Sequence, residues 1–209
     1  MKLLLTLFSC LSVTTAFSPM LCTGVAPSTS SAAAKTTALG LSAATDAATD
    51  EVKVGDAIPN VEMKELVTGA EGGPTSIQLS ELIAGKKVAI FGVPGAFTPG
   101  CSKSHLPSFM DAQEELKAKG VDLTICVATN DPFVMEAWGR TSGGSDAGIR
   151  FLSDAAGDLT KELGLVMDTP VGMRTKRFSL IAEDGVVTHY FNAEEEVSNT
   201  WAPSVLEAL

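Results

Sequence analysis

One cysteine of this sequence lies in surroundings that suit nucleophilic chemistry. Cys101 ends the stretch Pro94-Gly-Ala-Phe-Thr-Pro-Gly-Cys, between an apolar run and a helical pattern. This places Cys101 in or near the first turn of a helix, where backbone N–H groups and the helix dipole favour a thiolate, the nucleophilic form of cysteine. The sequence therefore predicts a reactive cysteine, and the alternative is a buried, inert one.

Breaking an O–O bond with this sulfur requires hydrogen-bonding groups and a fixed positive charge. Thr98, three residues before Cys101, offers a hydroxyl that can accept a hydrogen bond from a peroxide. Pro94 and Pro99 fix φ on either side of the loop and hold its shape. An arginine would supply a charge that is never lost. The candidates are Arg140, Arg150, Arg174 and Arg177.

The elements that must position these residues follow from the hydrophobic pattern. Apolar runs at 87–93 and 121–128 predict buried strands of a mixed or parallel sheet, and residues 101–119 between them predict a helix. Asn130 or Asp131 is expected to cap a second helix that reaches Trp138. The remaining predictions are a loop at 139–148, a strand at 150–154, a helix at 158–163, a hairpin of 178–182 and 186–191 turned at Asp184-Gly185, and a helix at 202–209. This order predicts a one-domain α/β protein with a central mixed sheet flanked by helices.

The N-terminal residues have a different composition from the rest of the chain. Residues 1–45 contain Lys2 and Lys35 and none of the 25 Asp and Glu residues. Residues 1–16 read as a signal peptide and residues 17–48 as a transit peptide or a disordered linker, which leaves 49–209 as the domain. The arrangement resembles the bipartite presequence of algae with secondary plastids. We therefore expect a plastid location, and simple secretion is the alternative.

The charge of the chain limits its partners. The formal net charge is −10 at pH 7, and all the acidic residues lie beyond residue 45. Such a domain repels phosphate backbones and anionic lipid surfaces. We expect neither nucleic acid nor a membrane as a partner, and a small or neutral substrate is easier to accommodate.

The motif Pro94-x-x-x-Thr98-x-x-Cys101 resembles the active-site signature of the peroxiredoxins. The runs 91–107, 129–138 and 176–180 are similar to the type II, or peroxiredoxin-5, subgroup, and the resemblance covers residues 51–209. It implies a thioredoxin-like fold, a homodimer, and reduction of hydrogen peroxide and alkyl hydroperoxides. Its catalytic residues would be Cys101, Thr98, Pro94 and Arg177.

The choice of Arg177 rests on this resemblance, because Arg177 directly precedes Phe178. Arg174 lies three residues too early to match. We expect Arg174 to be a solvated or interface charge.

Two routes for reducing the oxidised sulfur remain open. Cys10 and Cys22 lie in the presequence, so Cys126 is the one other cysteine of the domain. It lies late in a predicted strand and could approach Cys101 at the edge of a parallel sheet as a resolving cysteine. Alternatively, Cys126 is a small core residue, and an external thiol reduces Cys101. The resemblance implies glutaredoxin with glutathione, or thioredoxin, as the donor.

Other interpretations of Cys101 fit less well. A Cys-x-x-Cys oxidoreductase would need a cysteine where Ser104 stands, and a zinc site with His105 lacks further ligands at usable spacing. His105 and His189 are therefore expected to be structural or surface residues, and no metal or cofactor is expected. A redox-sensing interaction protein, in which oxidation of Cys101 changes a partner contact, is the second functional hypothesis.

Overall fold

The computed structural model of the chain describes residues 50–67, 69 and 72–209. Both predicted presequence segments, 1–16 and 17–48, lie outside these residues. The strands are β1 (Glu62–Glu65), β2 (Thr75–Gln78), β3 (Lys87–Gly92), β4 (Leu123–Ala128), β5 (Ile149–Ser153), β6 (Val166–Thr169), β7 (Gly172–Thr175), β8 (Phe178–Glu183) and β9 (Val186–Asn192). The helices are α1 (Leu79–Ile83), α2 (Leu106–Asp111), α3 (Gln113–Ala118), α4 (Pro132–Ser142), α5 (Asp158–Glu162) and α6 (Ala202–Ala208), with a π-helical turn at Cys101–His105 and a 3₁₀ turn at Val197–Thr200.

Seven of these strands form one mixed sheet in the order β2-β1-β5-β4-β3-β8-β9, while β6 and β7 form a separate hairpin. Strands β3, β4 and β5 are parallel, and β8 runs antiparallel to β3. The carboxyl ends of the parallel strands therefore meet at one edge of the sheet, and the loops that follow them are neighbours. The predicted α/β architecture with a central mixed sheet flanked by helices is confirmed.

The two faces of the sheet carry separate parts of the core because side chains alternate along each strand. In β3, Phe91 belongs to the cluster that also contains Cys101, whereas Ile90 belongs to the cluster on the opposite face. The Cys101 cluster includes residues from α2, α4 and α6. Stacked rings of Phe91 and Phe109, with centroids 4.2 Å apart, bind α2 to this face. The helix that follows Cys101 is thus held against the sheet by apolar burial.

Two predicted elements differ from the observed ones, each for a physical reason. The helix predicted over 101–119 begins with a π-helical turn and is interrupted at Ala112, where the Gln113 side chain donates to the carbonyl of Phe109. Residues 139–142, predicted as loop, continue helix α4. Gly139 permits close packing there, since a Cβ at this position would lie 2.6 Å from the Phe151 ring.

Within residues 50–67, 69 and 72–209, no helix is both long and apolar enough to cross a membrane. The same part of the chain contains no group of three or more His, Cys, Asp or Glu side chains that could hold a metal ion.

Candidate active site

The loop that precedes Cys101 is tied to the ends of two neighbouring strands. The backbone N–H of Ala96 donates to Asn130 Oδ1 at 2.9 Å, and the carbonyl of Asn130 accepts from Ser153 Oγ at 2.7 Å. Phe97 has a φ of 60°, which is uncommon for a residue with a bulky side chain. These contacts fix the shape of the loop over the carboxyl edge of the sheet.

Cys101 lies in the first turn of the helical segment, which begins at Pro99. Its carbonyl accepts from the N–H of Leu106, five residues on, and this bond makes the turn π-helical. The N–H of Ser102 donates to the carbonyl of Thr98 at 2.9 Å, which binds the turn to the loop. Cys101 is only 1% exposed, so the surrounding residues enclose the sulfur almost completely.

Arg177 brings a permanent positive charge to this sulfur. Its Nη2 donates to Cys101 Sγ at 3.1 Å, and its Nη1 donates to His105 Nδ1 at 2.8 Å. Sheet register explains the approach, because Phe178 pairs with Gly92 at the end of β3, immediately before the active-site loop. Arg177, the residue before Phe178, therefore lies next to the active-site loop.

The other arginines of the described chain bind elsewhere. Arg140 pairs with Glu136 and Arg150 pairs with Glu65. Arg174 is half-buried and lies 3.4 Å from Thr129 Oγ1. Arg177 is thus the arginine whose side chain contacts the sulfur.

His105 accepts a hydrogen bond from Nη1, the second terminal nitrogen of this guanidinium. A guanidinium has only donors, so Nδ1 of His105 accepts and the ring proton lies on Nε2. Nε2 donates to the carbonyl of Thr200 at 2.8 Å, and Ser179 Oγ donates to the same carbonyl at 2.5 Å. Burial, followed by the charge of Arg177, lowers the pKa of His105 to about 3, and the bond to Thr200 offsets only part of this. His105 therefore stays neutral and acts as an acceptor that orients Arg177.

The neutral state of His105 predicts an acid-sensitive stability. In the unfolded chain His105 protonates near pH 6.5, whereas in the folded protein it resists protonation until about pH 3. The contribution of neutral His105 to the free energy of unfolding is thus fully present above pH 6.5 and is lost as the pH falls toward 3. Between pH 7.5 and pH 5 we expect it to account for about 2 kcal/mol of the lost free energy of unfolding. Urea unfolding of wild type and His105→Asn across this range measures the effect. A difference between the two proteins that is independent of pH contradicts the prediction.

Thr98 and Pro94 complete the loop. The hydroxyl of Thr98 donates to the carbonyl of Gly95 at 2.9 Å, which directs its lone pairs to accept a hydrogen bond from another group. Thr98 is exposed, so a small molecule entering from solvent can reach it. Pro94 follows Val93, the residue after the end of β3, and starts the turn toward Cys101.

Cys126 lies in the middle of the sheet. It is fully buried in β4, in register with Phe91 on one side and Phe151 on the other. Burial, with a further effect of nearby Cys101, raises its pKa well above that of a free thiol, and Arg177 offsets part of this. Cys126 and Cys101 are both free thiols within the same core cluster. A neutral, enclosed thiol is a weak nucleophile.

Three residues that support the site were not predicted to have a chemical role. His105 orients Arg177, Ser179 shares the Thr200 carbonyl with His105, and Asn130 anchors the loop. Only His105 carried a usable signal, because residues four apart share a face of a helix and His105 follows Cys101 by four. The other contacts join positions too distant in sequence for a local pattern to reveal.

The chain is similar to known proteins in both sequence and fold. The redoxin family model matches residues 53–208. Peroxiredoxin-2E-2, chloroplastic, from Oryza sativa subsp. japonica is 42% identical over 165 residues, covering 76% of this chain and 72% of that protein. Peroxiredoxin-2B from Arabidopsis thaliana is 42% identical over 163 residues, covering 76% and 98%. The structure of reduced Prx3 from Vibrio vulnificus in complex with hydrogen peroxide matches with a TM-score of 0.69 and 40% identity, covering 76% and 99%.

Proposed function

Because the chain belongs to the type II peroxiredoxins of the redoxin family, we propose that Cys101 is the sulfur with which it reduces hydroperoxides. The protein is a thiol-dependent peroxidase of redox homeostasis with a thioredoxin-like fold. The observation that carries the residue assignment is the 3.1 Å contact between Arg177 Nη2 and Cys101 Sγ in the first helical turn. Loss of turnover in a Cys101→Ser variant tests it.

The geometry supports a direct displacement at the O–O bond. The thiolate of Cys101 attacks one peroxide oxygen, the S–O bond forms as the O–O bond breaks, and the electron pair leaves on the other oxygen as an alkoxide or hydroxide. That oxygen takes up a proton, so the products are a sulfenic acid and an alcohol or water. Arg177 donates where the negative charge develops, and the Thr98 hydroxyl accepts from the bound peroxide. Pro94 and Pro99 keep the loop in place.

We further propose that an external thiol, not Cys126, reduces the sulfenic acid. Cys126 is fully buried in a central strand, and burial keeps its thiol neutral. The families of donor that suit this step are glutathione with glutaredoxin, or thioredoxin. A donor thiol condenses with the sulfenic acid to a mixed disulfide and water, and a second thiol releases Cys101 as the reduced form.

Mass spectrometry under non-reducing conditions separates the two routes. After one equivalent of hydrogen peroxide and excess glutathione, we expect a glutathione adduct on Cys101. Cys126→Ala is expected to keep at least about half of wild-type turnover, since only a small core side chain changes. A disulfide between Cys101 and Cys126 in most molecules, together with loss of turnover in the variant, contradicts the external route.

We propose a homodimer in which a second copy covers Phe97 and Phe133. These aromatic side chains are 56% and 59% exposed, unusually high for large apolar groups. Asn130, three residues before Phe133, binds the loop that carries Phe97, so both belong to one edge of the protein. Sedimentation at micromolar concentration tests this, and a monomer mass contradicts it.

We propose that residues 1–48 direct the protein to a plastid. The support is the tract of 45 residues without acidic side chains and the chloroplastic relative from Oryza sativa. Residues 1–50 fused to a fluorescent reporter are expected to deliver it to the plastid in an alga with secondary plastids. Reporter found only in the medium identifies simple secretion instead.

A further inference from the structure

The residue after Cys101 is held by a buried tryptophan. Trp138 Nε1 donates to Ser102 Oγ at 3.1 Å, and Trp138 is 1% exposed. Its ring packs edge-on against Phe151, with centroids 5.6 Å apart at 81°. The next residue of α4, Gly139, lies too close to Phe151 for any side chain. Helix α4 therefore packs closely against β5, and the hydrogen bond from Trp138 to Ser102 connects the π-helical turn to α4.

Thiol exchange requires the π-helical turn to move. A disulfide brings two sulfurs to about 2.05 Å and their Cβ atoms to about 4 Å. Cys101 is 1% exposed, so a thiol as large as glutathione cannot adopt this geometry while the turn stays in place. A hydroperoxide needs only one small oxygen at the sulfur. The two half-reactions thus make different demands on the same turn.

Several side-chain hydrogen bonds hold the π-helical turn. Cys101 and His105 contact Arg177, and His105 also donates to the carbonyl of Thr200; these bonds belong to the group that orients Arg177 at the sulfur. The bond from Trp138 to Ser102 touches no reacting atom, yet it joins the first residue after Cys101 to the packed body of the protein. Short π-helical turns are rare and lack the regular hydrogen-bonding pattern of an α-helix. The hydrogen bond from Trp138 to Ser102 therefore contributes more to holding this turn in place than it would in an α-helix.

We propose that Trp138 and Ser102 form a latch, the hydrogen bond between Nε1 and Oγ, that sets how readily a thiol reaches oxidised Cys101. The inference rests on the proposed function. With the latch open, the donor sulfur attacks the sulfenic sulfur, the S–O bond breaks, a proton completes the departing water, and the disulfide forms. With the latch closed, the sulfenic acid waits and a second peroxide can oxidise it further. Trp138 and Ser102 are positioning residues and take no part in peroxide cleavage.

Variants at both ends of the latch test the proposal in the full-length chain. Ser102→Ala removes the acceptor, and Trp138→Phe removes the donor while keeping an aromatic ring. We expect each to raise the rate constant for reduction of the sulfenic acid by glutathione about fivefold, the factor of one ordinary hydrogen bond. The rate of sulfenic acid formation with hydrogen peroxide stays within about twofold of wild type. Both steps are followed separately by rapid mixing, and overoxidation by mass spectrometry is expected to fall.

The matched control is Ser104→Ala. Ser104 lies on the same turn, and its side chain makes no hydrogen bond within the described residues. This control is expected to leave both steps unchanged. The double variant is expected to match the faster single variant, because both changes break one bond.

Three results overturn the latch. The first is an unchanged rate constant for sulfenic acid reduction in Ser102→Ala. The second is a double variant in which the increases of the two single variants in this rate constant combine. The third is a single variant in which sulfenic acid formation and sulfenic acid reduction both slow. Ser102→Ala alone decides the matter if Trp138→Phe fails to fold. A wild-type protein that forms no sulfenic acid refutes the proposed function instead, and this result is read before any latch variant is made.

Discussion

A Cys101→Ser variant is expected to lose peroxide turnover by roughly 10³-fold or more. Serine preserves the size and position of the side chain, so the loop, the helix and the Arg177 contact can all remain. What it removes is the sulfur nucleophile, since a serine hydroxyl keeps its proton near neutral pH and attacks an O–O bond far less readily. Steady-state consumption of hydrogen peroxide with glutathione and a reductase-coupled donor system measures the loss.

Cys126→Ala is the matched control, because it removes the other thiol of the same core cluster. Retention of a few per cent of the wild-type rate in Cys101→Ser, in protein free of wild-type contamination, contradicts the assignment. The same assay addresses the sensor hypothesis. A wild-type protein that consumes one equivalent of peroxide and then stalls in the presence of a donor is a sensor and not a peroxidase.

The parts of the fold that were predicted correctly are those with a complete local signal. The apolar runs of β3 and β4 are nearly continuous, as buried parallel strands require. Asp184 and Gly185 have φ of 47° and 78°, the positive values that a tight hairpin turn needs. Asp131 caps α4 by accepting from the N–H groups of Phe133 and Val134, with Pro132 in the first turn.

The parts that were missed or misplaced depend on tertiary contacts. The strands β1, β2, β6 and β7 are four residues long, and none of them is a continuous buried run. Residues 139–148 were predicted as a loop because the stretch is rich in Gly and Ser. Gly139 lies in α4 because its close approach to the Phe151 ring leaves no room for a side chain, and Phe151 is too distant in sequence for a local pattern to reveal this contact.

The same division holds for the candidate site. Pro94, Thr98 and Cys101 lie within one short stretch of sequence, so their type and spacing alone suggested chemistry. The arginine could not be chosen in this way, and the resemblance to a family selected Arg177. The structure supplies the physical reason. The antiparallel pairing of β8 with β3 puts Phe178 opposite Gly92, and a side chain on Gly92 would overlap the Phe178 ring at 2.0 Å.

An Arg177→Met variant is expected to lower kcat/KM for hydrogen peroxide by about 10²- to 10³-fold, the usual cost of removing a donor at a developing negative charge. The guanidinium reaches Cys101 Sγ and His105 Nδ1 with two nitrogens of one planar group. Lysine has a single charged nitrogen and cannot reproduce this fork. We therefore expect Arg177→Lys to recover no more than about tenfold of the loss. Rapid-mixing measurement of sulfenic acid formation reports this step without interference from reduction.

Arg174→Met provides the matched control. It removes an equal charge at a position three residues before Arg177, and the Arg174 side chain contacts Thr129 and not the sulfur. A rate within about threefold of wild type is expected there, as for an exposed or half-buried charge without a role at the reacting atoms. If the two arginine variants slow sulfenic acid formation equally, the general positive potential of the region drives the step. If only Arg177→Met does so, and lysine restores little, then the paired donors held by neutral His105 are what the peroxide step requires.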